Sequence, residues 1–236
     1  MRKLSLIFPM AGEGARFGYR FKPFLDINGK TFIEAALEPF RAWLPQIDRI
    51  SFVFTRAQEN AHGVSERLAA LFDGLPQHSV ILDAPTPGPA QTLRQCLAQT
   101  AIRGPAIVCD CDHAVDIDGL MHAALARPDV ACAVPTWSLE GEPLASWSVA
   151  AIDEAGRILA IREKALPDRG KTFRGVIGCY YFAQIEQMSS GRDGFLYLSD
   201  IVADVIASGA PVLSIPIQRA SFFGDPARLA RLTAAE

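Results

Sequence analysis

The feature that most constrains the fold is an alternation, along the first half of the chain, of short apolar runs with longer amphipathic stretches. The apolar runs predict β-strands at residues 4–9, 51–55, 79–82 and 106–109. The stretches between them repeat their apolar residues with helical spacing and predict helices at residues 31–44, 57–72 and 90–100. This alternation predicts an α/β fold, in which a mostly parallel sheet is flanked by helices and ligands collect at the carboxyl ends of the strands.

The second half of the chain is less regular and predicts additional, partly antiparallel strands. These strands fall at residues 130–135, 148–152, 158–162 and 178–182. Asp153-Glu154-Ala155-Gly156 joins two of them and predicts a hairpin turn. The chain is predicted to close with a helix at 198–208, a strand at 212–217 and a helix at 226–235. Because no linker or repeat interrupts it, we expect residues 1–236 to form a single domain.

The charge balance and the hydropathy of the chain argue against several classes of function. Its 23 Lys and Arg are outnumbered by 26 Asp and Glu, which argues against nucleic acid as a partner. Its apolar runs are interrupted by Gly, Pro or charged residues before they reach membrane-spanning length, so no membrane partner is expected. The 5 cysteines lack the spacing of a zinc site and favour buried, reduced thiols in a cytoplasmic protein.

A glycine-rich segment with two cations follows the first predicted strand. Gly12 and Gly14 allow backbone N–H groups to approach phosphate oxygens, and Arg16 and Lys22 supply positive charge for a triphosphate. The glycines alone would indicate only a tight turn, but the adjoining cations favour a phosphate site. The segment is not a dinucleotide-binding fingerprint, because Phe17 stands where the third glycine would be.

This segment resembles the nucleotidyltransferase superfamily that includes the sugar-phosphate pyrophosphorylases. The resemblance rests on AGEGARF at residues 11–17 and on KPFLDINGKTFIEAAL at residues 22–37. It implies a GT-A-like fold with the Rossmann-like sheet of the nucleotide-diphospho-sugar transferases. It also implies that Lys22 stabilises the phosphates during transfer, which together with Arg16 makes a catalytic pair. The residues implied to hold the nucleotide are Ala11, Gly12, Gly14 and Arg16.

A Pro- and Gly-rich segment at residues 83–93 opens the third predicted helix. By itself this segment indicates a turn and a helix start. It also resembles the base-recognition loop of the family, and its matching positions are Thr86, Gly88 and Gln91. The two prolines that flank the glycine lack backbone N–H donors, so the match leaves the identity of the base open.

Two aspartates, Asp110 and Asp112, follow the fourth predicted strand. Carboxylate oxygens suit a magnesium ion that substrate phosphates also bind, whereas a solvated turn is the structural alternative. The neighbouring cysteines and histidine do not complete a zinc site, because two further ligands at finger spacing are missing. The resemblance implies Asp112 as the Mg²⁺ ligand and Asp110 as a structural or supporting residue.

Glu163 and Lys164 follow the predicted hairpin and resemble the glutamate-lysine motif of the family. On an arbitrary surface such a pair would be solvated. The resemblance implies that Glu163 accepts from sugar hydroxyls, that Lys164 pairs with the sugar phosphate, and that Gly178 belongs to the same substrate-binding site. Residues 197–200 resemble a helix start of the family, for which N-capping is a sufficient structural explanation.

The segment before the last helix resembles a Gly-containing turn of the family. Members often have a second metal-binding aspartate where this chain has Phe222. Asp225 is therefore either a substitute metal ligand or only a cap of the last helix.

The reaction that the resemblance implies transfers a nucleoside monophosphate from a nucleoside triphosphate to a sugar phosphate or a similar phosphorylated acceptor, and releases pyrophosphate. Mg²⁺ is the implied cofactor and nucleotide sugar biosynthesis the implied process. Asp110-Cys111-Asp112 also fits the D-x-D of a GT-A-type glycosyltransferase, although the glycine-rich segment and Lys22 argue against it. Phe222 slightly favours a third alternative, a non-catalytic nucleotide-binding regulatory module. The base, the acceptor and the presence of a homo-oligomer stay open.

Overall fold

The computed structural model describes residues 3–127, 129–190 and 197–234. The strands are β1 Leu4–Pro9, β2 Asp26–Ile27, β3 Lys30–Thr31, β4 Ile47–Thr55, β5 Gln77–Leu82, β6 Ala106–Cys109, β7 His113–Val115, β8 Cys132–Trp137, β9 Ser148–Ile152, β10 Ile158–Glu163, β11 Thr172–Val176, β12 Cys179–Phe182, β13 Val212–Pro216 and β14 Ala220–Phe222. The α-helices are α1 Phe32–Leu37, α2 Arg56–His62, α3 Val64–Leu71, α4 Pro89–Gln99, α5 Asp118–Ala126, α6 Leu198–Ala207 and α7 Pro226–Thr233. Shorter 3₁₀ segments lie at Ala15–Phe17, Lys22–Phe24, Glu38–Gln46, Leu144–Ser146 and Ile185–Ser190.

A mixed sheet of 10 strands organises the described part of the chain. Strand β1 pairs in parallel with β4 and β6, and β4 pairs in parallel with β5. Strand β12 then pairs antiparallel with β6 and β8, and the strands beyond it are also mostly antiparallel. The α/β class, the parallel first half and the partly antiparallel second half are therefore confirmed. The strand order is β10, β9, β11, β8, β12, β6, β1, β4 and β5, with β13 added in parallel on β8.

The two faces of the sheet bury two apolar clusters. On one face, the rings of Phe8, Phe52 and Phe72 stack in succession. On the other face, Ile7 packs among residues of helices α4 and α6. A phenylalanine side chain that leaves water stabilises the folded state by about 2 kcal/mol, so these rings hold β1 and β4 firmly in place. The loop that follows β1 is therefore anchored to the most buried part of the sheet.

Two predicted helices differ from the observed ones. The helix predicted at 31–44 ends as an α-helix at Leu37 and continues as the 3₁₀ segment Glu38–Gln46. Pro39 lies in the first turn of that segment and cannot supply the N–H that would continue the α-helical hydrogen bonding. The helix predicted at 57–72 is interrupted at Gly63, which adopts a left-handed conformation with φ of 56°.

A small sheet that the sequence did not predict lies beside the acidic segment, which is defined here as residues 110–112. Strands β7 and β14 pair antiparallel, with Phe222 opposite His113. The backbone N–H of Phe223 donates to the Asp112 carbonyl over 3.0 Å. These contacts bring the segment before the last helix against the carboxyl end of β6. Helix α5 and strand β11 are also absent from the predicted elements.

The cysteines lie in the interior of the fold, as the sequence predicted. Cys96, Cys109, Cys111, Cys132 and Cys179 are all buried free thiols. Within the described ranges, no helix combines the length and the apolarity that crossing a membrane requires.

Candidate active site

A cavity of about 690 Å³ opens at the carboxyl ends of β1, β5 and β6. It is the edge of the sheet at which a parallel α/β fold places its ligands. Three segments surround it: the phosphate loop, defined as residues 10–17, the base loop, defined as residues 86–92, and the acidic segment. The predicted site residues that line the cavity are Gly12, Gly14, Arg16, Lys22, Thr86 and Gly88, together with Asp110.

The phosphate loop turns sharply at Gly14. Its φ of 69° is left-handed, and its carbonyl accepts from Phe17 N–H over 2.9 Å and from Tyr19 N–H over 3.1 Å. A Cβ atom at position 14 would lie 2.1 Å from the Arg20 carbonyl oxygen. Glycine is therefore required here by its backbone conformation and by the lack of space. Gly12 has no such neighbour, because a Cβ there would meet nothing within 4 Å.

Gln58 anchors the start of the phosphate loop. Its side-chain amide donates to the Gly12 carbonyl over 2.9 Å and to the Met10 carbonyl over 3.4 Å. The amide oxygen of Gln58 accepts from Thr55 N–H over 2.8 Å in a capping box that begins α2. We did not identify Gln58 from the sequence. The available signal was the spacing of Thr55 and Gln58 after a predicted strand, which is that of a capping box.

Lys22 joins the phosphate loop side of the cavity to the acidic segment. Its Nζ donates to Asp112 Oδ2 over 2.7 Å. The aromatic residues on either side of it are fixed, because Phe21 stacks on His62 and Phe24 lies under the guanidinium of Arg67. Lys22 is therefore held in position by helices α2 and α3.

Lys22 and Asp112 each favour the ionised form of the other, as their pKa values show. Burial by itself lowers the pKa of the Lys22 ammonium, but Asp112, together with smaller contributions from Cys111 and Asp110, raises this pKa above its ordinary value. Burial likewise acts to raise the pKa of Asp112, and the ammonium of Lys22 together with His113 holds it well below its usual range. Both groups are therefore charged at neutral pH. Their side chains keep 29% and 22% of their surface exposed, so substrate charges can reach them.

Asp110 is packed against the backbone of Gly178. The N–H of Asp110 donates to the Gly178 carbonyl over 2.7 Å, and a Cβ at position 178 would lie 2.1 Å from Asp110 Oδ2. Burial, followed by the negative charge of Asp112, raises the pKa of Asp110 to about 6. Gly178 thus leaves room for a carboxylate that lines the cavity, and this contact accounts for a glycine at that position.

The acidic segment fits magnesium better than zinc. The described residues contain no cluster of three or more His, Cys, Asp or Glu arranged to hold a metal. Magnesium in phosphoryl-transfer sites commonly takes one or two carboxylates and completes its shell with phosphates and water. Asp112 and Asp110 offer that donor set. Gly224 lies close to the Asp112 carboxylate, because a Cβ at position 224 would lie 2.5 Å from Asp112 Oδ2.

Asp225 caps helix α7. Its Oδ1 accepts from Arg228 N–H over 2.9 Å, and its Oδ2 lies 3.2 Å from Arg228 Nε. The cap that the sequence offered as one alternative is therefore present, whereas a role for Asp225 as a metal ligand stays a prediction. Phe222 packs edge-on against the rings of Trp137 and Trp147.

Hydrogen bonds of two threonine hydroxyls join the ends of the base loop. Thr86 Oγ1 and Thr92 Oγ1 lie 2.6 Å apart, and both are within 3.3 Å of the Gly88 carbonyl oxygen. Thr92 lines the cavity and was not singled out from the sequence, although it stands one helical turn after Gly88. Gln91 does not line the cavity, and neither does the buried Ala11.

Glu163 and Lys164 lie at the end of β10 and outside the lining of the cavity. The Glu163 carboxylate accepts hydrogen bonds from the hydroxyls of Ser148 and Ser199. Its charge reaches the cavity, since it contributes to the raised pKa of Asp110. The Lys164 side chain is exposed, and its backbone has a positive φ of 56°. We did not predict that Ser148 and Ser199 contact Glu163.

Comparison with known proteins identifies the family of the chain. The sequence profile of the MobA-like NTP transferase domain matches residues 7–171, which is most of the chain and includes the phosphate loop, the base loop and the acidic segment. No protein of curated function matches the chain significantly.

Solved structures share the fold at low sequence identity. A nucleoside-diphosphate-sugar pyrophosphorylase from Vibrio cholerae RC9 has 20% identity and a TM-score of 0.77, over 97% of this chain and 99% of that one. A UDP-glucose pyrophosphorylase complexed with UDP-glucose has 18% identity and a TM-score of 0.77, over 100% and 98%. The inositol-1-phosphate CTP transferase from T. maritima has 13% identity and a TM-score of 0.76, over 99% and 95%. These likenesses establish the fold.

Proposed function

The chain belongs to the MobA-like NTP transferase domain family, and from this premise we propose that it transfers a nucleoside monophosphate from a nucleoside triphosphate to a sugar phosphate. The three structures described above are named for a sugar nucleotide or for inositol phosphate, which supports a phosphorylated polyhydroxyl acceptor for this chain. The phosphorylated acceptor is the substrate that distinguishes this proposal from glycosyl transfer.

The observation that carries the proposal is the ion pair that Lys22, a residue of the cavity lining, forms with Asp112. The 2.7 Å contact brings a cation and a carboxylate together between the phosphate loop and the acidic segment. An ammonium beside a carboxylate that could hold a metal ion suits phosphoryl transfer, because the reaction develops negative charge on phosphate oxygens.

The chemical step needs no nucleophilic side chain. An ionised phosphate oxygen of the acceptor attacks the α-phosphorus of the triphosphate in line with the bond to the bridging oxygen. The new P–O bond joins the acceptor to the nucleoside monophosphate, and the old bond breaks to release pyrophosphate with its electron pair. No proton has to move, since the attacking and leaving oxygens both belong to ionised phosphates.

Different residues around the cavity bind different parts of the nucleoside triphosphate. The backbone of the phosphate loop and the exposed Arg16 hold the triphosphate, and Lys22, beside Asp112, supplies positive charge to the phosphates during transfer. Asp112, supported by Asp110, would hold Mg²⁺, which supplies positive charge to the phosphate oxygens. The base lies against the base loop near Thr86 and Gly88.

The acceptor lies on the opposite side of the acidic segment. Glu163 accepts from its hydroxyls and Lys164 pairs with its phosphate. The charge of Glu163 supports this assignment, because it adds to the raised pKa of Asp110, a carboxylate that lines the cavity.

Pyrophosphate release from a matrix of nucleoside triphosphates and phosphorylated acceptors tests the proposal. Glucose 1-phosphate is the reference acceptor, and phosphorylated alcohols are included beside the sugar phosphates. We expect release only when an acceptor and Mg²⁺ are both present. With labelled pyrophosphate and the matching nucleotide sugar, labelled triphosphate should form. Transfer of sugar from the nucleotide sugar without formation of triphosphate would instead establish a glycosyltransferase, and tight nucleotide binding without turnover would establish a binding module.

A further inference from the structure

The carboxylate of Glu163 is oriented by two serines. The hydroxyls of Ser148 and Ser199 both donate to the same oxygen, Oε1. No residue in the described ranges donates to the second oxygen, Oε2. Among the described residues, one oxygen of the carboxylate thus accepts two hydrogen bonds and the other accepts none.

The two serines come from different elements. Ser148 lies on β9, directly opposite Glu163 in the antiparallel pairing of β9 with β10. Ser199 lies in the first turn of α6, where it is 3% exposed. Contacts from a strand and a helix fix both the direction and the rotation of the carboxyl group, which a single hydrogen bond would leave free.

Ser199 is not explained by helix capping, which was our interpretation of this segment from the sequence. The carboxylate of Asp200 accepts from the Tyr197 N–H over 2.9 Å and thereby caps the start of α6. The Ser199 hydroxyl points instead at Glu163, although a buried serine could have bonded to its own helix.

We propose that Ser148 and Ser199 are positioning residues, which direct Glu163 Oε2 at a hydroxyl group of the acceptor. The inference rests on the proposed function, because it takes Glu163 to bind the acceptor. An acceptor that presents a hydroxyl donor next to its phosphate satisfies Oε2. A phosphorylated alkane without hydroxyl or amino groups leaves the serine pair without effect on affinity, because it has no donor for Oε2.

A double-mutant cycle on the complete chain tests the proposal. The variants are the pair Ser148→Ala/Ser199→Ala, Glu163→Ala, and the triple combination, and the probe is glucose 1-phosphate or the acceptor with the highest activity in the matrix. We expect the serine pair to raise the KM for the acceptor about tenfold, while kcat and the KM for the triphosphate stay within about twofold of the parent. In the Glu163→Ala background, the serine substitutions should have no further effect on the acceptor KM.

Two matched variants separate positioning from loss of stability. Ser214→Ala removes another buried hydroxyl, which lies 2.8 Å from Thr136 Oγ1, and should leave the acceptor KM unchanged. Ser148→Thr keeps the hydroxyl donor that Ser148→Ala removes, and a β-branched residue fits on a strand. This variant should therefore have the acceptor KM of the parent protein.

The outcomes distinguish this inference from the proposed function. An equal rise of both KM values, or a serine effect that persists without Glu163, would overturn positioning by the serines. A normal acceptor KM in Glu163→Ala would remove Glu163 from the acceptor site and the inference with it, while nucleotidyl transfer would stand. Absence of turnover in the parent protein with every pair in the matrix would overturn the proposed function itself.

Discussion

The nucleotide side of the cavity and the proposed acceptor side are built in different ways. The proposed nucleotide side consists of the phosphate loop and the base loop, each a continuous stretch that follows a parallel strand. The acceptor side brings together Ser148, Glu163 and Ser199 from β9, β10 and α6. The first side depends on local backbone conformation, and the second depends on the packing of separate elements.

The two sides meet at the acidic segment. Asp112 contacts Lys22 on the proposed nucleotide side. The pKa of Asp110 is raised mainly by burial and by Asp112, and the charge of Glu163 on the proposed acceptor side adds to this rise. A substitution on one side should therefore change the KM of one substrate, whereas a substitution in the acidic segment or at Lys22 should lower kcat. The following predictions test this division, in order of decreasing effect.

Lys22→Ala should lower kcat about a hundred- to a thousandfold, because a charge directed at the transition state commonly contributes about 3 kcal/mol. The affinity for the triphosphate should fall much less. Steady-state kinetics together with direct nucleotide binding measure the two effects. Lys30→Ala is the control, since Lys30 forms only an exposed ion pair with Glu38 at 3.5 Å. A kcat within about twofold of the parent in Lys22→Ala would assign Lys22 a structural role.

Asp112→Asn should lower magnesium-dependent activity about a hundredfold, because an amide keeps the shape of the side chain and removes the charge that a hard dication favours. Titration of activity with magnesium measures the loss. Asp116→Asn is the control, since Asp116 pairs with Arg219 over 2.8 Å at the surface. Full activity of Asp112→Asn at low magnesium would exclude this metal site.

Gly14→Ala should destabilise the protein by about 1–3 kcal/mol and weaken triphosphate binding, because the left-handed backbone becomes strained and the new Cβ meets the Arg20 carbonyl. Denaturant unfolding and nucleotide titration measure the two losses. Gly18→Ala is the control, because Gly18 has a similar φ of 66° and a Cβ there would meet nothing within 4 Å. Its loss of stability therefore measures the cost of the left-handed backbone alone. Equal losses in both variants would show that the contact with Arg20 is unimportant.

Lys164→Ala should raise the KM for the acceptor by up to about fivefold and leave the KM for the triphosphate unchanged, since an exposed ion pair contributes up to about 1 kcal/mol. Lys171→Ala removes another exposed lysine and serves as the control. If Lys164→Ala raises both KM values equally, the acceptor side is a structural element rather than a separate subsite.

Asp225→Asn should have the smallest effect, because asparagine caps a helix nearly as well as aspartate does. We expect activity within about twofold of the parent and a change in unfolding free energy of less than about 0.5 kcal/mol. Activity that falls and partly recovers at high magnesium would instead make Asp225 a substitute metal ligand.

The sequence by itself determined the parts of the molecule that depend on neighbouring residues. The alternation of apolar runs and amphipathic stretches predicted the parallel half of the sheet, because side-chain periodicity follows directly from backbone geometry. The tight turn at Gly14 was also predicted, since the glycines and the cations near it lie close together in the sequence, whereas phosphate binding there stays a prediction. The glycine is required by a local φ of 69°. The resemblance to the family rested on these same contiguous residues.

Only the tertiary structure decided the contacts between residues that are far apart in the chain. Lys22 and Asp112 are separated by 90 positions, and their ion pair depends on β6 lying next to β1. The pairing of β7 with β14 likewise brings Phe222 and Gly224 to the acidic segment. Ser199 reaches Glu163 because α6 packs on β10. Local patterns specify elements, whereas strand order and helix packing depend on the burial of the whole core, and so these partners could not be assigned from spacing alone.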